Sequence, residues 1–382
     1  MTTPAIALPP ELADAARPVV NTLGHWTRVG NICLDDEVIA AMSWAARRYI
    51  VIEELQRAAS AVIARVTGAE AGCATNGAAG GLLLAIAATR ARLDPDRIAA
   101  MPGLDEKREL VLFASHRSAY ESCLRVAGVE LVVVDDAGED PLAALAPHLG
   151  ADTAAVFYDA QLACAGAAPP LPAVVEAAHA AGVPVIVDAS LAVPPRANLT
   201  EPIAAGADLV AYSGGKAIGG PGASGFLAGR ADLIASALAQ QADGDVYDRL
   251  GRQRPPGPVQ MGIGRVTKTG KEEIVGMLVA LDGYLDSEEP ACVCDLGDVE
   301  AALRAVPGLQ VERVAKGGKD AIAVAVAGLS ARELRERLLA GDPAVATVVV
   351  ADRLLIQSTE CMHEGELELL VQGFAQVSAA AS

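Results

Sequence analysis

From about residue 109 the chain repeats a simple pattern: a short run of β-branched and other apolar residues, a polar turn, then apolar positions spaced three or four apart. The runs at 109–115, 129–134, 153–158, 184–188, 207–213 and 224–228 have the length and composition of buried strands. Helices are expected over 118–127, 140–149 and 170–182, so the region reads as a doubly wound α/β domain around a mixed, mostly parallel sheet with right-handed crossovers. Upstream, Ile39, Met42, Ala46 and Ile50, followed by Leu55, Ala58, Val62 and Ile63, predict helix from 35 to about 67, and an Ala- and Leu-rich helix opens at 75–80 and runs to about 93. Downstream, 252–264 is a turn-rich linker, a long helix is expected over about 270–286, and 297–382 reads helix, strand, strand, helix, strand, strand, helix. Residues 1–34 look like an extended arm, too polar and glycine-interrupted for a core element and suited to reaching another subunit. The expected organisation is therefore an arm (1–34), a large domain (35–265), and a linker helix with a smaller C-terminal α/β domain (266–382).

Composition narrows the function classes. A chain of 382 residues with 52% apolar content suits one large domain plus a smaller one. Its net charge of −18, with no local basic stripe, argues against nucleic acid as a partner. Seven scattered cysteines, of which only Cys292 and Cys294 lie close together, predict reduced thiols and no metal site. No signal peptide and no membrane span are expected, which makes a cytoplasmic location the simplest reading.

Two residues carry the candidate chemistry. The run 183–189 ends its strand in Asp188, and the run 207–213 ends in Ser213, followed by Gly214-Gly215-Lys216. In an open α/β sheet ligands gather beyond the carboxyl ends of the strands, so both Asp188 and Lys216 are expected in that crevice. An amine able to form a Schiff base and a carboxylate able to face a pyridinium nitrogen are the minimum equipment for holding pyridoxal phosphate. A solvated lysine on a glycine-rich loop is the bland alternative. A phosphate-binding P-loop is excluded, because Ala217 stands where Ser or Thr is needed.

Further candidates fall at neighbouring strand ends. Thr75, Asn76, Gly77 and Ala78 open a helix with no bulky residue in its first turn, a terminus suited to the cofactor phosphate, or simply capped by Thr75 or Asn76. His116 follows the strand at 109–115, where an imidazole can stack on the pyridine ring or move a proton. Tyr158 and Asp159 end the strand at 153–158 and are placed to contact the ring hydroxyl or shape the pocket. For a substrate carboxylate the candidates are Arg265, in the Gly- and Pro-rich linker, with Arg353 and Arg28.

These residues resemble a known group: the selenocysteine-synthase-like branch of fold-type-I pyridoxal-phosphate enzymes, which includes D-glucosaminate-6-phosphate ammonia-lyase. The resemblance rests on 185–189, on 206–210 with 213–221, and on 268–276, with weaker support at 20–24, 54–56 and 66–70. It implies a homodimer or higher homo-oligomer with a shared active site, Lys216 as the Schiff-base lysine and Asp188 on the pyridinium nitrogen. Relatives commonly read Thr-Ser-Gly-Ala-Ala where this chain has 75–79, and carry a glutamine where it has Gly222.

The reaction expected is abstraction of the Cα proton from an amino-acid-like substrate, with Lys216 as base and α,β-elimination of the ammonia-lyase type as its outcome. A racemase or epimerase using His116 on the opposite face, or a transferase, is the alternative. A cofactor-free oligomeric scaffold is the competing class, and a nucleotide-binding α/β protein a third.

Overall fold

The computed structural model describes residues 9–163, 168–286, 293–316 and 319–381. Its contacts gather residues 34–289 into one unit, and 1–33 with 290–382 into a second.

The N-terminal segment is not a free arm. Strand β1 (Val19–Asn21) belongs to the second unit. The larger unit carries β2 (Ala71–Asn76), β3 (Glu109–Phe113), β4 (Glu130–Val134), β5 (Thr153–Asp159), β6 (Val185–Asp188), β7 (Leu209–Ser213) and β8 (Ser224–Gly229) in one sheet of order β2-β8-β7-β6-β5-β3-β4. The four pairings from β7 to β4 are parallel, and the two that involve β8 are antiparallel. Parallel strands are buried on both faces, which is why they read as unbroken apolar runs. One face packs on helix Gly77–Ala91 and on Leu233, Ile234 and Ala237 of helix Ala231–Gln241. The other receives Ile63 and Val66 of helix Ile52–Thr67, Val174 and Ala178 of helix Leu171–Ala180, and Met277 and Leu281 of helix Lys271–Asp286.

Three sequence expectations change. The segment at 35–67 is two helices, Asp36–Ala46 and Ile52–Thr67, broken around a fully exposed Tyr49, although the apolar spacing runs on through the break. Strand β2 was not expected, because Ala-Gly-Cys-Ala-Thr-Asn shows neither alternation nor β-branched density. It forms as an edge strand, and the Gln56 side chain satisfies its outer side: the Ala74 N–H donates to Oε1 at 2.8 Å, and Nε2 donates to the Ala74 carbonyl at 2.9 Å. The helix at 271–286, grouped with the C-terminal domain from sequence, packs in the larger unit.

In the second unit β1 pairs in parallel with β11 (Ala344–Ala346). The arm's polar residues have their hydrogen bonds satisfied, Asn21 locally by Gly24 and Leu23 and Thr22 by Ala346 of the paired strand, so Val20 and Leu23 can be buried. A four-stranded antiparallel sheet is ordered β12 (Val348–Val350), β13 (Arg353–Ile356), β10 (Lys319–Val326), β9 (Leu309–Lys316), with helices Leu296–Arg304, Ala331–Ala340 and Glu366–Ala381. Among the described residues no helix is long and apolar enough to cross a membrane.

Candidate active site

Strands β5, β6 and β7 end side by side at one edge of the sheet. Asp159 stands in register with Asp188, and Asp188 with Ala211, two residues before Ser213. On the other side Ser213 is in register with Gly225, and Gly225 with Thr75. One line across the sheet thus collects Asp159, Asp188, the end of β7 and the start of helix Gly77–Ala91.

The chain after β7 folds back tightly. The Gly214 N–H donates to the Ser224 carbonyl (2.9 Å), Gly220 N–H to Gly214 (2.8 Å) and Gly219 N–H to Lys216 (2.8 Å), so Lys216 heads a closed turn. Gly225 allows the return: a Cβ there would lie 2.6 Å from the carbonyl carbon of Gly77. Gly77 itself has φ +63°, a conformation that side chains disfavour. No side chain caps this helix, Asn76 is exposed, and the Thr75 hydroxyl donates to the Gly77 carbonyl (2.8 Å). The capped alternative is therefore not what forms, and the first N–H groups remain open to an anion.

Lys216 and the two aspartates share one electrostatic problem. Burial raises the proton affinity of Asp188, opposed by the Ser190 N–H (2.9 Å), the Ser190 side chain and Lys216. Burial also pushes Asp159 up to about 6, against the N–H groups of Leu162 and Gln161 and the charge of Lys216, while Asp188 adds to the rise. Burial lowers Lys216, and both carboxylates resist that change. An amine whose proton affinity burial lowers, beside two carboxyls, is equipped for Schiff-base formation and for proton transfer.

His116 is fully buried, edge-on to Tyr158 (4.6 Å) and Phe113 (5.7 Å). Its Nδ1 lies 3.4 Å from the Asp159 N–H. The buried Nε2 has no hydrogen-bond partner among the described residues. Burial pushes His116 down to about 4, with Asp136 and a backbone bond from Phe157 pulling the other way, so at neutral pH the ring is uncharged.

The proposed carboxylate-binding arginines are divided between the two units. Arg265 donates to the Gln241 carbonyl (3.4 Å), pairs with Asp243 (3.7 Å), and lines a cavity of the larger unit. Arg28 lies over the Trp26 ring (5.0 Å) and Arg353 pairs with Glu312 (3.4 Å), both in the second unit. Sequence reasoning missed Gln241, which shares the Gln56 amide, and Asp136, which takes the Ser115 hydroxyl. Neither sits in a recognisable motif. Cys164 and Cys292 lie outside the described residues. Cys73 is buried, with its thiol pushed up to about 12.

These residues suit pyridoxal phosphate. An orphaned buried ring nitrogen at His116, an uncapped helix start, a carboxylate pair and an amine of lowered proton affinity match a flat aromatic ring bearing an aldehyde and a phosphate. Comparisons with known proteins agree. Residues 107–251 match the family of Cys/Met metabolism PLP-dependent enzymes. The chain is 33% identical over 347 residues to a Streptomyces 5'-C-glycyluridine monooxygenase-decarboxylase, covering 86% of this chain and 81% of the relative. It is 27% identical over 377 residues to the D-glucosaminate-6-phosphate ammonia lyase of Salmonella typhimurium, covering 95% and 96%. The solved structure of a D-glucosaminate-6-phosphate ammonia-lyase superposes with a TM-score of 0.80 at 27% identity, over 98% of this chain and 100% of that one. A cysteine desulfurase of Escherichia coli shares the fold at TM-score 0.55 and 17% identity, covering 98% and 97%. The chain belongs to the fold-type-I family of pyridoxal-phosphate-dependent enzymes that includes these two relatives.

Proposed function

We propose that the protein removes the Cα proton of a small amino-acid-like substrate bearing a leaving group at Cβ, that this group departs in an α,β-elimination, and that water then releases ammonia and a keto acid. The observation that carries this reading is Lys216, an amine with lowered proton affinity facing the in-register pair Asp159 and Asp188. When bound, pyridoxal phosphate supplies the electron sink that stabilises negative charge at Cα. Asp188 would hold a proton on the ring nitrogen, the first N–H groups of helix Gly77–Ala91 would hold the phosphate with Asn76 beside them, and His116 would offer its unpartnered Nε2. Asp159 and Ser213 shape the same edge. Once the substrate amine has replaced it, the Lys216 amine accepts the Cα proton. Arg265, Arg353 and Arg28 are the candidates for the substrate carboxylate. A racemase would need His116 as an acid, and a ring pushed down to about 4 is poorly suited to that.

A second reading, oxidative decarboxylation, is favoured by the Streptomyces relative, whose name describes that chemistry. Product analysis separates the two. Elimination gives keto acid and ammonia with no oxygen uptake, whereas the second reading consumes oxygen and releases carbon dioxide. Solvent deuterium at Cα without either product would establish the racemase instead. We further propose a homodimer or higher oligomer, supported by exposed Trp44, Tyr49 and Val51 on one stretch of the larger unit, and a cytoplasmic location. The cofactor reading is tested by absorbance before and after borohydride. The visible band should shift on reduction and vanish in Lys216→Ala; a chain with no such band is the cofactor-free scaffold.

A further inference from the structure

One cavity of the larger unit, lined by Arg265 among others, carries more positive charge than a single substrate carboxylate would use. It encloses about 540 Å³ against the outer edge of β2, and four cationic side chains line it: Arg57, Arg249, Arg265 and Lys268. Two acids lie among them, and both are engaged: Glu53 with Arg249 at 2.9 Å, Asp243 with Arg265 at 3.7 Å. No ion pair joins Arg57 or Lys268 among the described residues. In a chain whose net charge is −18, a concave surface with this surplus of positive charge is the exception.

The floor is polar and built. Gln56, Gln241 and Thr269 are all buried, and they form a chain: the Gln56 Nε2 donates to the Gln241 Oε1 (3.0 Å), and the Gln241 Nε2 to the Thr269 Oγ1 (3.2 Å). Because Thr269 accepts in that bond, its own hydroxyl proton is available to an occupant. Cations approach from separate elements: Arg57 from helix Ile52–Thr67, Arg249 from the turn Val246–Arg249, and Arg265 and Lys268 from the segment that starts at Ile263. A lone carboxylate is served by one arginine fork. Several point charges arriving from different directions, together with a hydroxyl donor, suit a tetrahedral dianion.

We propose that this cavity binds a phosphate group, either inorganic phosphate or the phosphate of a monoester. The proposal rests on the cavity walls and stands apart from the Lys216 reading, since the spectrum described above tests that reading independently. The test is titration of borohydride-treated enzyme with inorganic phosphate at constant ionic strength, read by calorimetry. Reduction keeps any cofactor in place, so its own phosphate site stays filled. Saturable binding is expected, weakened at least tenfold in Arg57→Gln/Lys268→Gln and unchanged in Arg65→Gln, a control on the same helix. Arg57, Arg65 and Lys268 are all exposed, so these variants should fold. O-phosphoserine separates the two sources. Competition by inorganic phosphate against its binding to the reduced enzyme assigns the cavity to the substrate's phosphate; binding of inorganic phosphate alone assigns it to the free ion. Absence of saturable binding, or binding indifferent to the double variant, overturns the proposal.

Discussion

Two aspartates, Asp208 buried and Asp188 half-buried, sit at opposite ends of adjacent strands in the same sheet and do different things. Asp208, just before β7, has every side satisfied: its carboxylate accepts from the Val185 N–H (2.7 Å) and from Arg230 (2.9 Å) and meets His179 (2.8 Å). Asp188, at the far end of β6, has the Ser190 N–H and side chain, the charge of Lys216, and a second carboxyl as its register neighbour. The first group closes the sheet where three strands begin or end. The second is left short of donors in a place where burial favours its neutral form. A carboxylate whose lone pairs are all taken is structural, and one whose partners are incomplete marks where a cationic ligand belongs.

Breaking the satisfied edge should have the largest effect on stability. Asp208→Ala strands the Val185 N–H and releases Arg230 and His179, so we expect a loss of about 3 kcal/mol in urea unfolding, at the low end for a buried pair because Arg230 is partly exposed. The same change should leave the affinity for pyridoxal phosphate intact, since none of these residues is at the Lys216 edge.

The unsatisfied edge should respond in the opposite direction. Asp159 titrates at about 6 in the folded chain, above its ordinary 3.8, so between about pH 4 and 6 the native state binds more protons than the unfolded one. Its contribution to stability is fully present below that window and is lost as pH rises through about 6. Asp159→Asn should therefore stabilise the cofactor-free protein by roughly 2 kcal/mol at pH 8 and by nothing at pH 3. His116, lowered to about 4 from 6.5, has the opposite sign: its contribution is present above about 6.5 and is lost as pH falls toward 4. In the native chain the two effects oppose each other, so removing Asp159 should unmask a melting temperature that climbs with pH between about 4 and 6.5. An identical pH profile in variant and parent would contradict the assigned burial of Asp159.

The smallest effect sharpens the same contrast with two glycines. Gly77 (φ +63°) opens the helix at the Lys216 edge, and Gly182 (φ +70°) precedes β6 at the Asp208 edge; neither has a neighbour that a Cβ would strike. Alanine at either position should cost about 1 kcal/mol in unfolding for the same backbone reason. Only Gly77→Ala should also weaken pyridoxal phosphate binding, measured by absorbance titration of the cofactor-free protein. Equal affinity in both variants would remove this helix start from the phosphate site.

Much of this was legible in the chain. The strands at β3 to β8 announce themselves because two-sided burial demands continuous apolar runs, and Lys216 and Asp188 stand out because each follows such a run into a turn. The small residues of β2 carried no signal, since an edge strand braced by a distant glutamine needs neither alternation nor bulk. The arm misled for a related reason: its polar residues satisfy one another over two or three positions, a pairing that composition counts as loop.

Local sequence determined the element types, the strand-end chemistry and the family, because these follow from side-chain periodicity and short motifs. Only the tertiary structure decided that Asp159 and Asp188 are register neighbours, that His116 is buried with an unpartnered ring nitrogen, and that Asp208, equally embedded in an apolar run, is fully partnered. Strand order brings groups tens of residues apart to within contact. The proton affinity of each then depends on what stands beside it and how little water remains, quantities that no window along the chain contains.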